Sequence, residues 1–369
     1  MKRIVIMFFL FMFFSLFATG TNVMEKEYKE QFEIIGALEL EKNIPEEVKK
    51  ILENLKFNIY KPSASAIEPK AIFEILINNF RKKMEIPIGT IMPCLGISIL
   101  CALISAVSSS ENLKTTEIFR LSCACAASAV IILPISETIS FSAATIKCAS
   151  NFILCFAPVL AGASICSGMP ISAAVSSSSV IFASQTAFAW AQNFIEPIMK
   201  IFLGTSILTA ISPRIGFKKL FDVLYSNLKR LLIGISSVFA IIVSIQKTIS
   251  VPSDALACKG LKLAVGLTPI IGSSIGDAAE AIRSCAMILK SGIGAFGIIS
   301  VFLVFMPSVI ECCVWIFSLG ICEFLSVILE ADEISGLIKS CRKTISAMLA
   351  IVIFCFFAFF TAAGGLTGL

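Results

Sequence analysis

The chain has 369 residues, 57% of them hydrophobic and 15% charged, with 30 Lys and Arg against 25 Asp and Glu and a net charge of +5. Its mean hydropathy of +0.93 excludes a water-soluble globular protein, because that much apolar surface needs a bilayer to cover it. It has no histidine, which removes the commonest general base and the usual metal ligand, and no G-x-x-x-x-G-K-[ST] phosphate loop, so an enzyme, a bound metal or cofactor and nucleotide hydrolysis are not expected.

In chain order, Lys2 and Arg3 precede an unbroken apolar run over 4–14, followed by the small residues Ala18, Thr19 and Gly20. That is the pattern of a signal peptide over 1–20, either cleaved near Gly20 or kept as a first helix. In both cases the basic end is held in the cytosol and residues 21–85 are exported. The stretch 25–85 holds 12 of the 25 acidic and 11 of the 30 basic residues, so it differs in kind from the rest of the chain. Phe32, Ile35 and Leu38 share one helix side, Pro45 suits a first helical turn, and Val48, Ile51, Leu52 and Leu55 form an apolar stripe. Pro62 and Pro69 bracket a break. Ile72, Phe73, Leu76 and Phe80 then make another stripe that ends at Arg81, Lys82 and Lys83. About 60 residues of such helices make only a marginal core of their own. The segment is therefore either a solvated helical linker or a docking element for an extracytoplasmic partner.

Residues 86–369 form the membrane domain, and the expected fold class is an all-α polytopic membrane protein. Spans are expected at 86–107, at 121–141 (broken by Pro134), at 151–166, at 170–190 and at 194–211, with a short loop over 111–120. Residues 215–230 are amphipathic: Ile215, Phe217, Leu220, Phe221, Leu224 and Leu228 on one side, charges on the other, which fits an interfacial helix. A clean span comes next at 231–249. Residues 261–289 are ambiguous and read as crossing or re-entrant, 292–329 is long enough for two spans meeting near Pro307, and 345–363 is the last. The total comes to about seven to nine mature spans. The cluster over 214–230 has five Lys and Arg and one Asp, which places it in the cytosol by the positive-inside rule. Five spans from an exported Glu85 bring the chain to the same side, so the two arguments agree.

None of the 14 cysteines lies in the exported stretch and no C-x-x-C pair occurs, so they read as small hydrophobes rather than a metal or disulfide set. Gly162, Ala163, Ser164, Ser167 and Gly168, then Ser172 to Ser179, either let helices pack closely or line a polar pathway with Gln185 and Thr186. Gly292, Gly294 and Gly297 make a similar packing face. Charges in apolar segments are candidate functional positions. Glu196 and Lys200 are spaced to pair on one helix face near a span end. Glu323 has no partner close in sequence, so either it faces another helix or the span boundaries differ. Asp277, Glu280 and Arg283 share a helix start, where Ser274-x-x-Asp277 also fits a capping box.

The run Thr268-Pro269-Ile270-Ile271-Gly272-Ser273-Ser274-Ile275-Gly276-Asp277-Ala278-Ala279-Glu280 resembles the central signature of the stage III sporulation protein AE family. Lys290 to Gly297 and the block 225–250 fit that family as well, and so does the order of signal, charged exported stretch and spans. Residues 261–267 depart from the family's more polar form. The resemblance implies a polytopic subunit in the mother-cell membrane around the forespore, acting after engulfment. Its implied partners are the other membrane and ring-forming proteins of the stage III sporulation A complex, a secretion-type ATPase among them, and a forespore membrane protein. No nucleic-acid partner and no catalytic residue is implied. The signature loop would comprise Pro269, Gly272 and Gly276. The competing expectation is an autonomous small-molecule permease with a site near Asp277 and Glu280.

Overall fold

The computed structural model describes residues 69–107, 113–167, 169–211, 219–235 and 272–367, with isolated positions at 49, 50, 53, 237 and 241. Every element among them is helical: α1 (Pro69–Val107), α2 (Leu113–Cys166), α3 (Pro170–Trp190), a π turn (Ala191–Ile195), α4 (Glu196–Ile211), the 219–235 helix, α5 (Gly272–Ile328) and α6 (Asp332–Thr367). Four segments are long and apolar enough to cross a membrane: Ile77–Ala106, Glu117–Ile165, Gly292–Ile328 and Asp332–Phe360. The expected signal peptide and most of the expected exported stretch lie outside the described residues, as does most of the expected span at 231–249.

The helices are longer than the sequence divides them. The expected loop over 111–120 is helical from Leu113, and the spans expected at 121–141 and 151–166 are one helix of 54 residues. A proline inside a helix costs about 3 kcal/mol, while each fully buried Ile or Phe contributes about 1.5–3. Ile131, Ile135 and Ile139 are buried around Pro134, and Phe156, Val159 and Leu160 around Pro158. Packing therefore outweighs the two breakers. Likewise α3, the π turn and α4 run on without a gap from Pro170 to Ile211, α5 runs as one helix through Pro307, and α6 begins at Asp332 rather than 345. The helix α1 likewise runs unbroken across Glu85, from the charged stretch into the first apolar segment.

The helices α5 and α6 form the centre. Their apolar windows are 78% and 72% buried, against 22% and 33% for α1 and α2, which places the latter two at the periphery. Phe305 meets Phe356 and Phe359 at ring centroid distances of 5.8 and 6.0 Å, and Trp315 is fully enclosed. Phe221, Leu224 and Leu228 of the 219–235 helix pack on this core as its apolar stripe predicts, whereas Leu220 faces outward. Gly292, Gly294 and Gly297 are buried, as a packing face requires.

The turn between α5 and α6 is tight. Ala331 N–H donates to Ser326 O at 3.1 Å, Glu330 N–H to Val327 O at 3.1 Å, and Glu330 sits at a φ of 53°. This helix ending usually takes glycine at the left-handed position, where a Cβ costs about 1–2 kcal/mol. Glu330→Gly is therefore expected to stabilise the protein by about 0.5–1 kcal/mol. A rise in the thermal midpoint of the detergent-solubilised protein checks it; a fall would show that the carboxylate, not the backbone, matters there.

Candidate functional site

Three helices bring polar side chains into one enclosed layer. Lys83 Nζ of α1 donates to Glu311 Oε2 of α5 at 2.5 Å, and Thr138 Oγ1 of α2 donates to Glu311 Oε1 at 2.8 Å. The Lys83 ammonium also lies 4.2 Å from the centroid of the Phe141 ring. One turn along α5, Ser308 Oγ donates to Ser142 Oγ at 2.9 Å, and Cys312 Sγ lies 3.6 Å from the same hydroxyl. A carboxylate among apolar helices costs several kcal/mol unless it is paired. Here both oxygens of Glu311 are satisfied, its side chain is 11% exposed, and Lys83 keeps 30% exposure. The layer has no nucleophile–base pair. It fastens the entry helix α1 to the central helix α5.

A second ionic group lies beside it on α2. Glu196 comes directly after the π turn and accepts hydrogen bonds from Lys200 Nζ at 2.8 Å and Ser140 Oγ at 3.0 Å, with Lys147 Nζ at 3.9 Å. A π turn inserts an extra residue and rotates the next stretch of helix. The expected Glu196–Lys200 pair is present, and Ser140 and Lys147 extend it across to α2. Glu323 faces another helix: Arg342 Nη2 of α6 stands 2.9 Å from its Oε2. That oxygen has no aligned hydrogen bond, so the contact is one of charge. A Cβ on Gly320 would stand 3.3 Å from Arg342 Nη1, so the glycine leaves room for the guanidinium.

The signature residues are placed only in part. Pro269 and the side chains of Asp277, Glu280 and Arg283 lie outside the described residues. Gly272 and Gly276 are helical, and α5 is already formed at Gly272. Asp277 therefore stands in the second turn of α5 and Ser274 in the first. Asp277, Glu280 and Arg283 are not beside Glu311; 28 residues of one helix, about 42 Å, separate Arg283 from it.

Of the small residues, Ala163, Ser164 and Ser167 of the α2 end are buried, whereas Ser178 and Thr186 of α3 are exposed. Ser164 and Ser167 donate to Leu160 O and Ala163 O at 2.9 and 2.7 Å, and Ser178 and Thr186 to Ala174 O and Phe182 O at 2.7 Å each. Hydroxyls bonded to their own helix in this way make no pathway by themselves. Among the described residues no group of three His, Cys, Asp or Glu is placed to hold a metal. The cysteines described are free thiols, most of them buried.

A family model described as stage III sporulation protein AE matches residues 49–367. The chain belongs to that family. A curated relative, the stage III sporulation protein AE of Bacillus subtilis (strain 168), is 22% identical over 233 residues, which are 62% of this chain and 57% of the relative. The alignment thus spans little more than half of that relative's length. No solved structure matches. The matched region of this stage III sporulation protein AE family member contains the signature run, the Glu311 layer and the Glu196 group.

Sequence reasoning missed Lys83, Thr138, Ser140, Lys147, Glu311 and Arg342. One signal was available: Glu311 is the lone charge between Lys290 and Glu323.

Proposed function

We propose that this chain is the polytopic membrane subunit of the sporulation-specific transport complex that links mother cell and forespore, required for forespore development after engulfment. The family match over 49–367 carries the reading. The four long apolar segments support its membrane placement. The chain lacks a phosphate loop, so energy would come from a partner, for which a secretion-type ATPase of the same complex is the proposed source. Ring-forming and forespore membrane proteins complete the proposed partners. The test is deletion of the gene in its spore-forming host. Engulfment should proceed and forespore development should stop, with rescue by the intact gene; normal spores in the deletion strain would refute the proposal.

The proposed orientation exports residues 21–85 and keeps 214–230 in the cytosol. Ser206 of α4 lies 3.5 Å from Thr344, and Thr209 lies 3.5 Å from Ser340, so α4 runs antiparallel to α6. The start of α6 meets the start of α2, where Arg120 lies 3.7 Å from Glu333. Thus α4 ends toward the side where α1 ends. With α2 and the α3–α4 run each taken as one crossing, three crossings stand where five were expected, and both odd counts give the same orientation. Reporter fusions after Glu85 are expected to report outside and fusions between Lys218 and Lys229 inside. Both on one side would contradict the orientation.

A further inference from the structure

The helices α2 and α5 are too long for one bilayer. Arg120 of α2 sits at the α5–α6 turn with Glu333, Thr138 sits at the Glu311 layer, and Phe156 crosses Gly297 of α5. Each interval on α2 is 18 residues, about 27 Å. The hydrocarbon core is about 30 Å thick, so it covers one interval and not both.

The structure distinguishes the two. Between the turn and the layer, α1, α2 and α5 expose large apolar side chains: Met92, Leu100, Leu103, Leu133, Phe317 and Phe324 are 54–69% exposed. On α1 this section runs from Ile86 to Ala106 without a charge, about 30 Å. Beyond the layer, the described residues of α5 from 292 to 310 show no exposed position, and α2 turns Ala144, Asn151, Pro158 and, at its far end, Ile165 outward, with Phe182 of α3 exposed beside it. The same helix α1 continues past the layer with Glu74, Asn78, Arg81 and Lys82 exposed. Met84 packs on Met306 and Ile310, so this charged end of α1 starts out along the far section of α5. Lipid around that section would also surround the exposed charges Arg81, Lys82 and Glu74, which acyl chains do not solvate. On the side of α6, Arg342 pairs with Glu323 and Lys343 with Asp222 at 2.6 Å, while Lys339, three residues nearer the α5–α6 turn than Arg342, is exposed.

We infer that the bilayer ends at the Lys83–Glu311–Thr138 layer, and that the far sections of α2 and α5 stand outside the lipid as a helical stalk on the side of the exported residues. The inference rests on the proposed orientation only for which side that is. It gives the partner proteins a rigid surface off the membrane, and it places Lys83, Lys147 and Lys200 at the level of lipid phosphates.

The test uses the full-length wild-type protein in phosphatidylglycerol and phosphatidylcholine nanodiscs containing a lipid with a diazirine on its acyl chain. After photolysis, adducts are mapped by mass spectrometry. Adducts are expected across 86–106, 118–133 and 317–328, and at least tenfold fewer across 144–158. Equal adduct density on 144–158 overturns the inference. A second measurement separates depth from orientation: Asn78→Cys, Asn151→Cys and Leu133→Cys, each in a cysteine-free chain, are treated with an impermeant maleimide on intact cells and after lysis. Asn151 reacting as Asn78 does, with Leu133 protected throughout, supports the stalk. Asn151 protected like Leu133 overturns it. If Asn78 and Asn151 both react only after lysis, the orientation fails and the depth assignment stands.

Discussion

Lys83→Ala is expected to lower the membrane level of the protein several-fold, and the double variant Lys83→Ala/Glu311→Gln to restore most of it. Removing one member of an enclosed pair leaves the other charge uncompensated, at a cost of about 3–5 kcal/mol. The low end applies, because Lys83 is 30% exposed and water can replace part of its contact. Glu311→Gln removes the charge and keeps an acceptor for Thr138, which now donates at 2.8 Å. The single Glu311→Gln variant should therefore lose only about 1 kcal/mol. Quantitative immunoblotting of the membrane fraction and the thermal midpoint in detergent read both effects. If Lys83→Ala is as abundant as wild type, the layer does not hold α1 to α5. If the double variant is no better than Lys83→Ala, lost packing of the lysine stem on Phe141 is the cause, and charge is not.

Gly297→Ala is expected to loosen the crossing of α2 and α5. A Cβ there would lie well inside contact distance of Phe156 Cζ. Phe156 is fully buried and stacks on Phe152 at 5.8 Å, so its ring has no free direction in which to swing. Overpacking costs about 1–3 kcal/mol, and the gain in helix propensity from glycine to alanine returns up to about 1. The net loss should be about 1–2 kcal/mol, and Gly297→Leu should prevent accumulation altogether. Phe156→Leu should partly rescue Gly297→Ala, because the two sites share one contact and their effects do not add. Independent losses in the double variant would show that the crossing is not where the alanine acts.

Periodicity and hydropathy made the helical class and the apolar segments legible, because a span needs nothing beyond its own residues to declare itself. Lengths were not legible. Pro134 and Pro307 read as breaks, and only the packing around them shows that the helices continue. The Glu196–Lys200 pair was legible because both partners lie on one helix turn. The Glu311 layer was not, since Lys83 and Thr138 are 228 and 173 residues away from it in the chain. The pairing of Glu323 with Arg342 shares that character: it needs the fold of α5 against α6, which a lone charge in an apolar run announces without naming its partner. The signature run identified the family through its residues.

A tagged copy purified in mild detergent from sporulating cells, then tested alone in liposomes, addresses the proposed role most directly. The expected result is co-purification with a secretion-type ATPase and ring-forming membrane proteins, and no solute flux from the isolated chain. Recovery of the chain without partners, together with solute flux in liposomes that contain nothing else, would contradict the role as a complex subunit and favour an autonomous permease.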